Sequence, residues 1–136
     1  MDYVGTKHEV KITVTNEVTA AAMHSGSLEV FSTPFMVALM EQAASELCNK
    51  FVPEGISTVG TALNIQHLAA TSVGVEVRAV ATLTSYDGRK ATFDVEAYDN
   101  AGLIGKGTHE RFSIKIDKFL QKAQERAALP IRPALS

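Results

Sequence analysis

The chain has 136 residues and a formal net charge of −2, enough length for one domain whose core needs no metal or disulfide. Its 13 basic residues are scattered, so nucleic-acid binding is not expected, and small molecules are the expected partners. A single cysteine, no basic-then-apolar leader and no run of 18 apolar residues favour a soluble cytoplasmic protein without membrane contact.

The first predicted elements are a strand, a connection and a long helix. Residues 8–15 alternate between apolar and polar side chains, which predicts a half-buried strand. Residues 19–29 show no clear period and are expected to connect this strand to the helix, lying over a site. Residues 33–51 are predicted to form a helix capped by Thr33, with Pro34 in its first turn and an apolar surface over most of its circumference.

Four strands follow the helix at short spacing, over residues 56–67, 73–85, 90–98 and 103–116. The pair Asp87-Gly88 predicts a hairpin turn between the second and third of them. The segment from Gly105 to Gly107 is expected to bend or bulge the last strand. An amphipathic helix capped by Asp117 comes next, and a flexible tail is expected from about residue 129.

This order of elements predicts the α+β class, with one antiparallel sheet and one buried helix in a single domain over residues 1–136. A helix that is apolar around most of its surface cannot rest on a flat sheet with its back in water. The sheet is therefore expected to curl around the helix, or a second subunit is expected to cover the remainder.

Three polar residues occupy positions where the pattern predicts burial: Thr33 at the helix cap, Glu41 two turns later, and His67 on the following strand. A structural explanation is available for each, because Thr33 can serve only as a cap, Glu41 can find a backbone donor, and His67 can be a satisfied core histidine. A buried carboxylate and imidazole can also act as nucleophile or base on an electrophilic carbonyl. The pattern alone leaves both readings open.

Other ligand signals are weak. The four histidines lack short metal-ligand spacing and one cysteine forms no Cys-x-x-Cys pair, so no metal is expected. Gly102, Gly105 and Gly107 follow a turn without a strand-to-helix transition, which disfavours a phosphate loop. Arg111 with its neighbouring lysines is either a solvated edge or a phosphate-binding group.

Four motifs resemble the fluoroacetyl-CoA thioesterase family of hotdog-fold proteins, in that family's order and spacing. They are VFSTPFMVALME over residues 30–41, VGTA over residues 59–62, QHLAAT over residues 66–71 and GKGTHER over residues 105–111. The resemblance implies the hotdog fold, in which a curved antiparallel sheet wraps a long central helix and two subunits pair. It also implies hydrolysis of acyl-CoA thioesters without a further cofactor.

Carried over by position, the resemblance implies a catalytic role for Thr33, Glu41 and His67. It implies that Gly60 lies near the thioester carbonyl and that Arg111 lies near the cofactor-derived part of the substrate. Phe35 is assigned to the substrate-binding residues with them. Whether Glu41 attacks the thioester or activates a water is left open.

Two alternatives to a thioesterase are a non-catalytic acyl-CoA-binding hotdog module and a hotdog hydratase or dehydratase. The chain lacks a clear hydratase-type Asp-x-x-x-x-His spacing, which counts against the second. The chain also departs from the family at the lid over the acyl pocket, where His24 and Ser27 stand in place of two phenylalanines. A weak preference for fluoroacetyl-CoA is therefore expected.

Overall fold

Five antiparallel strands form one sheet in a computed structural model that describes residues 2–133. In chain order the strands are β1 Lys7–Thr13, β2 Ile56–His67, β3 Glu76–Tyr86, β4 Lys90–Asp99 and β5 Gly102–Lys115. Their order in the sheet is β1-β3-β4-β5-β2, so β1 and β2 are the edge strands. Residues 134–136 of the expected flexible tail lie outside the described range.

The long helix α1 runs over Thr33–Cys48 and packs across the sheet. Its N-cap is Ser32, whose side-chain oxygen accepts a hydrogen bond from the backbone N–H of Phe35 at 3.2 Å. The predicted cap at Thr33 is therefore wrong by one residue, because two adjacent hydroxyl residues precede Phe35 and the sequence does not distinguish them. The helix also ends three residues before the predicted end at Phe51.

The core lies between α1 and the facing side of the sheet. Seven residues of the helix are buried, namely Met36, Leu39, Met40, Ala43, Ala44, Leu47 and Cys48. Burying a large apolar side chain contributes about 1.5 to 3 kcal/mol, so this helix is the main apolar element of the core. Four residues of the same helix are exposed, namely Thr33, Pro34, Ala38 and Gln42. One chain therefore leaves part of the helix uncovered, and its coverage by a second subunit stays a prediction.

A β-bulge in β2 changes which residues of this strand face the helix. Gly60 pairs with Arg111 and Ala62 pairs with Glu110, so Thr61 is the extra residue. Before the bulge, Thr58 is buried. After it, Ile65 packs against the core and His67 contacts Thr33. Strict alternation along this strand would place Val59 and Thr61 on the same face as Ile65 and His67, but one inserted residue reverses the alternation.

Glycines in β5 allow close approach by neighbouring elements. A Cβ added at Gly105 would lie 2.5 Å from Met36 Sδ, and one added at Gly107 would overlap the carbonyl oxygen of Asn64. The irregularity expected around Gly105–Gly107 occurs one residue before Gly105. Ala97 of β4 pairs with Gly105 and Tyr98 pairs with Leu103, so Ile104 is the extra residue.

The second helix, α2, covers Ile116–Ala127 and follows β5 directly. Its N-cap is Lys115, and Asp117 lies within the first turn rather than at the predicted cap. Within the described chain none of the α2 residues is buried. No helix in residues 2–133 is long and apolar enough to cross a membrane.

Candidate active site

Thr33 and His67 meet where the start of α1 lies beside the end of β2. Thr33 is the first residue of α1 and His67 is the last residue of β2. The Thr33 hydroxyl oxygen lies 2.7 Å from His67 Nδ1, a hydrogen-bond distance. Both residues line a groove of about 310 Å³, together with the small residues Ala20, Ser25, Ala69 and Ala70. The structure brings together these two residues of the predicted site. The predicted burial of Thr33 is wrong, because the first residue of the helix lies at the open groove and is exposed.

The His67 imidazole has one nitrogen outside its contact with Thr33. This nitrogen, Nε2, is buried and has no hydrogen bond of good geometry among the described residues, although a backbone contact with Ala69 raises the pKa of the ring against the larger effect of burial. Burial lowers the pKa of His67 from its ordinary value, so the neutral ring is the main form at neutral pH. A neutral imidazole carries one donor and one acceptor nitrogen. If the Thr33 hydroxyl accepts a hydrogen bond from Nδ1–H, Nε2 carries a lone pair and can accept a proton. If the Thr33 hydroxyl donates to Nδ1, Nε2 carries the hydrogen and can donate it.

Glu41 lies in the middle of α1 and points toward β2. A Cβ added at Gly60 would lie 2.5 Å from Glu41 Oε2, so only glycine leaves room for the carboxylate there. The Glu41 side chain is 38% exposed in the single chain. The sequence pattern predicted a buried carboxylate, but Glu41 faces an edge strand, beyond which residues 2–133 form no further strand to exclude water.

Arg111 is buried beside Glu41 rather than directed to solvent. Its side chain is 7% exposed, and its Nη1 lies 3.8 Å from Glu41 Oε2. Its Nε donates to the Thr58 hydroxyl and its Nη2 donates to the Thr58 carbonyl, both at 2.9 Å. Burial lowers the pKa of Arg111, whereas Cys48 and Glu41 raise it. This geometry gives no support to a position near the phosphates of CoA.

Phe35, the remaining predicted substrate contact, does not line the groove but packs against Phe31, which does. Its ring is half-buried and meets Phe31 edge to face, with centroids 6.1 Å apart. Phe31 lines the groove and meets His67 in the same way at 6.5 Å. Phe35 therefore supports the groove wall through Phe31, and its direct contact with substrate stays a prediction.

The predicted residues thus form two groups within one chain: Thr33 with His67, and Glu41 with Gly60 and Arg111. The eight-residue separation of Thr33 and Glu41 corresponds to about 12 Å along the helix axis. Sequence reasoning missed His109, which contacts Arg111 and is fully buried. The available signal was its alternation with Gly107 and Arg111 on β5, which places all three residues on one face of the strand.

Comparison with known proteins identifies the family. The model of the fluoroacetyl-CoA-specific thioesterase family matches residues 14–117. The chain belongs to this family. The fluoroacetyl-CoA thioesterase of Streptantibioticus cattleyicolor is 41% identical over 98 residues, which are 72% of this chain and 70% of that protein. The resemblance found in the four sequence motifs is confirmed.

Solved structures give the same result for the fold. A crystal structure of a point mutant of the fluoroacetyl-CoA-specific thioesterase matches with a TM-score of 0.85 and 34% identity, covering 90% of this chain and 96% of that one. A hot-dog-like protein from Thermanaerovibrio acidaminovorans matches with a TM-score of 0.84 and 25% identity, covering 93% and 94%. The predicted hotdog fold of the α+β class is confirmed.

The connection between β1 and α1 is the segment where the family resemblance implies a lid. It folds back on itself through backbone hydrogen bonds from Ala20 to Val30 at 2.8 Å and from Ala21 to Leu28 at 3.0 Å. Its residues Ala20 and Ser25 line the groove beside Thr33. In the described residues, no group of His, Cys, Asp and Glu side chains is arranged to hold a metal ion.

Acidification from about pH 7.5 to about pH 5.5 is expected to lower the free energy of unfolding. Burial lowers the pKa of both His67 and His109 below the ordinary value of 6.5. As the pH falls below that value, the unfolded chain binds protons that the folded chain does not, so stability decreases. Urea denaturation across this range measures the change.

The variant His109→Gln is the control for this dependence, because it removes one of the two imidazoles whose pKa is lowered. It should lose less stability over the same range than the wild-type chain. A wild-type free energy of unfolding that stays constant across the range would contradict the lowered pKa of the two imidazoles.

Proposed function

We propose that this protein hydrolyses short acyl-CoA thioesters to a free acid and CoA. The observation that carries the proposal is the Thr33–His67 hydrogen bond, which leaves a buried, unpartnered imidazole nitrogen beside a groove. Membership in a thioesterase family supports it, as does the relative from Streptantibioticus cattleyicolor, a fluoroacetyl-CoA thioesterase. No metal or other cofactor is part of the proposed reaction.

His67 and Thr33 handle protons in this proposal. A neutral imidazole can carry a proton between water and the leaving thiolate of CoA. The low pKa of His67, caused by burial, keeps the ring in the form that accepts a proton. Thr33 holds the ring by its hydrogen bond and orients the acyl group or the water.

Glu41 supplies the carboxylate that attacks the thioester carbonyl or activates the water. Exclusion of water strengthens a carboxylate as nucleophile or base. The carbonyl is proposed to lie near Gly60, where no side chain occupies the space beside Glu41. A backbone N–H at the developing oxyanion is typically worth about 3 to 4 kcal/mol of barrier.

Two copies of the chain are proposed to pair along β2. This strand is an edge of the sheet, and Leu63 on its inward face is 39% exposed. A second copy across this edge would cover Leu63 and remove water from Glu41, which is half-exposed in one chain. Pairing would also pair backbone groups that an edge strand leaves open.

The dimer is tested by sedimentation at micromolar concentration. The expected mass is about twice the 14.6 kDa of one chain, since an obligate interface usually buries upwards of roughly 2,000 Å². Leu63→Lys should shift the population toward monomer. Val4→Lys, at an exposed residue near the opposite edge strand β1, is the control and should not. A wild-type chain that sediments as a folded monomer would overturn the proposal.

Glu41→Gln is expected to abolish hydrolysis of every accepted acyl-CoA while leaving the fold intact. The amide keeps the size of the side chain but loses its nucleophilicity and basicity. The control is Glu46→Gln, the same change on the same helix at a residue that contacts His8 at 2.7 Å; it should retain activity. Release of free thiol from a panel of acyl-CoAs measures both.

The outcome also separates the candidate functions. If Glu41→Gln keeps more than about a tenth of the wild-type rate, equivalent to less than about 1.4 kcal/mol of barrier, the catalytic assignment is wrong. Absence of turnover in the wild type across the panel would favour a non-catalytic acyl-CoA-binding module.

Fluoroacetyl-CoA and acetyl-CoA are expected to be hydrolysed with kcat/KM values within about a hundredfold of each other. The reason is the lid, where His24 and Ser27 are both exposed and supply no apolar ring. One apolar contact typically contributes about 1 to 3 kcal/mol to discrimination, so two missing contacts leave a small preference. Both constants are measured on one preparation. A preference well beyond this range would show that other residues form an apolar lid.

A further inference from the structure

A buried polar cluster lies behind Glu41 and has no part in the reaction proposed above. It consists of His109 and Arg111 on β5 and Thr58 on β2, and all three residues are buried. Burying polar and charged side chains is costly unless each is hydrogen-bonded. The contacts of this cluster therefore show what the buried groups hold in place.

The hydrogen bonds of His109 fix its tautomer. Its Nδ1 lies 2.8 Å from the carbonyl oxygen of Ala62, which can only accept, so Nδ1 carries the hydrogen. Nε2 of the neutral ring is then an acceptor, and Arg111 Nη1 donates to it at 3.2 Å. Burial, the largest effect on this group, lowers the pKa of His109 and keeps the ring neutral beside the guanidinium.

Arg111 is held from three directions. Its Nε and Nη2 donate to Thr58, and its Nη1 donates to His109. A guanidinium is planar, so bonds at these three nitrogens fix its orientation. The same Nη1 lies 3.8 Å from Glu41 Oε2. The fixed cation therefore attracts the Glu41 carboxylate and favours the side-chain conformations that bring it toward Arg111.

The contacts around Gly60 show that these groups converge. A Cβ added there would lie 2.5 Å from Glu41 Oε2, 3.1 Å from His109 Cε1 and 3.3 Å from Arg111 Nη1. Carboxylate, imidazole and guanidinium thus surround the one position on β2 that has no side chain. His109 also binds Ala62, which flanks the bulge next to Gly60.

We propose that His109 is a positioning residue for acyl-CoA hydrolysis: it orients the Arg111 guanidinium, which holds the Glu41 carboxylate beside Gly60. This inference rests on the proposed function in taking Glu41 as the reacting carboxylate. A partly exposed glutamate has several side-chain conformations, and misplacement of a reacting group by about 1 Å can cost roughly a hundredfold in rate. His109 acts only through Arg111 and does not touch substrate.

Two substitutions separate the two hydrogen bonds of the ring. In His109→Gln the side-chain oxygen can reach the position of Nε2 and accept from Arg111. In His109→Asn the shorter amide can reach the position of Nδ1 and donate to Ala62, but it provides no acceptor for Arg111. The packing control is Phe93→Leu, because the Phe93 ring stacks on His109 with centroids 6.1 Å apart and forms no hydrogen bond with it.

His109→Asn is expected to lower kcat about 10- to 100-fold with KM changed by less than about threefold, since a reacting group is misplaced while substrate contacts remain. His109→Gln should restore kcat to within about threefold of wild type, on the same reasoning. Phe93→Leu should lower thermal stability at least as much as His109→Asn does, with kcat near wild type. Equal kcat values in His109→Asn and His109→Gln would overturn the proposal. Equal losses of kcat in His109→Asn and Phe93→Leu would overturn it as well.

A second measurement does not depend on activity. The Arg111 Nε–H is buried and bonded to Thr58, so nitrogen-15 NMR should show it exchanging slowly with solvent. Its exchange should become at least about tenfold faster in His109→Asn than in His109→Gln, as expected for local loosening. Equal exchange rates would show that His109 does not hold Arg111. If exchange differs but no variant, including wild type, hydrolyses any acyl-CoA, the bracing is real and the proposed function is wrong.

Discussion

The pairing of β2 with β5 is the constraint on which the rest of the site depends. It places the inward residues of β5 opposite those of β2, so Gly105 faces His67, His109 faces Leu63 and Arg111 faces Gly60. The bulge at Thr61 lets Gly60 and His67 lie on the same face although they are seven residues apart. Without the extra residue, strict alternation would send one of them to the outer face of the sheet. Because of the bulge, one strand places Gly60 beside Glu41 and His67 beside Thr33.

Electrostatics add a second constraint, because Arg111 is a buried cation in a small domain. The half-exposed Glu41 carboxylate, 3.8 Å away, is the charged group nearest to it among the described residues, and the remaining donors go to neutral acceptors on Thr58 and His109. Because the Glu41 carboxylate is 38% exposed, water screens this ion pair, and the neutral acceptors compensate for most of the buried charge. The attraction between Arg111 and Glu41 therefore affects the orientation of the carboxylate more than the stability of the fold.

The sequence predicted the strands, their hairpin connections and the buried helix because hydrophobic periodicity records which side of each element is covered. It did not predict the bulge at Thr61, because no residue type in β2 shows which residue is the extra one. It placed the helix cap at Thr33 instead of Ser32 because both residues carry a hydroxyl.

The exposure of Glu41 could not be predicted either, because it depends on what covers the edge of β2 rather than on the helix itself. Thr33 and His67 stood out as polar residues in an apolar pattern, and the motif resemblance implied their catalytic role. His109 needed coordinates, because the sequence of a strand does not distinguish a histidine that orients a neighbour from one that only packs.

The geometry of α1 and β2 explains why the site is open between its two groups. The two elements touch at Glu41–Gly60 and again at Thr33–His67. Between these contacts the helix advances about 12 Å at 1.5 Å per residue, whereas seven residues of extended strand cover about 23 Å. Leu63, which lies between these contacts on the inward face, is 39% exposed, so the chain leaves this part of β2 uncovered. The separation of the two groups within one chain is a consequence of pairing a compact helix with a longer strand.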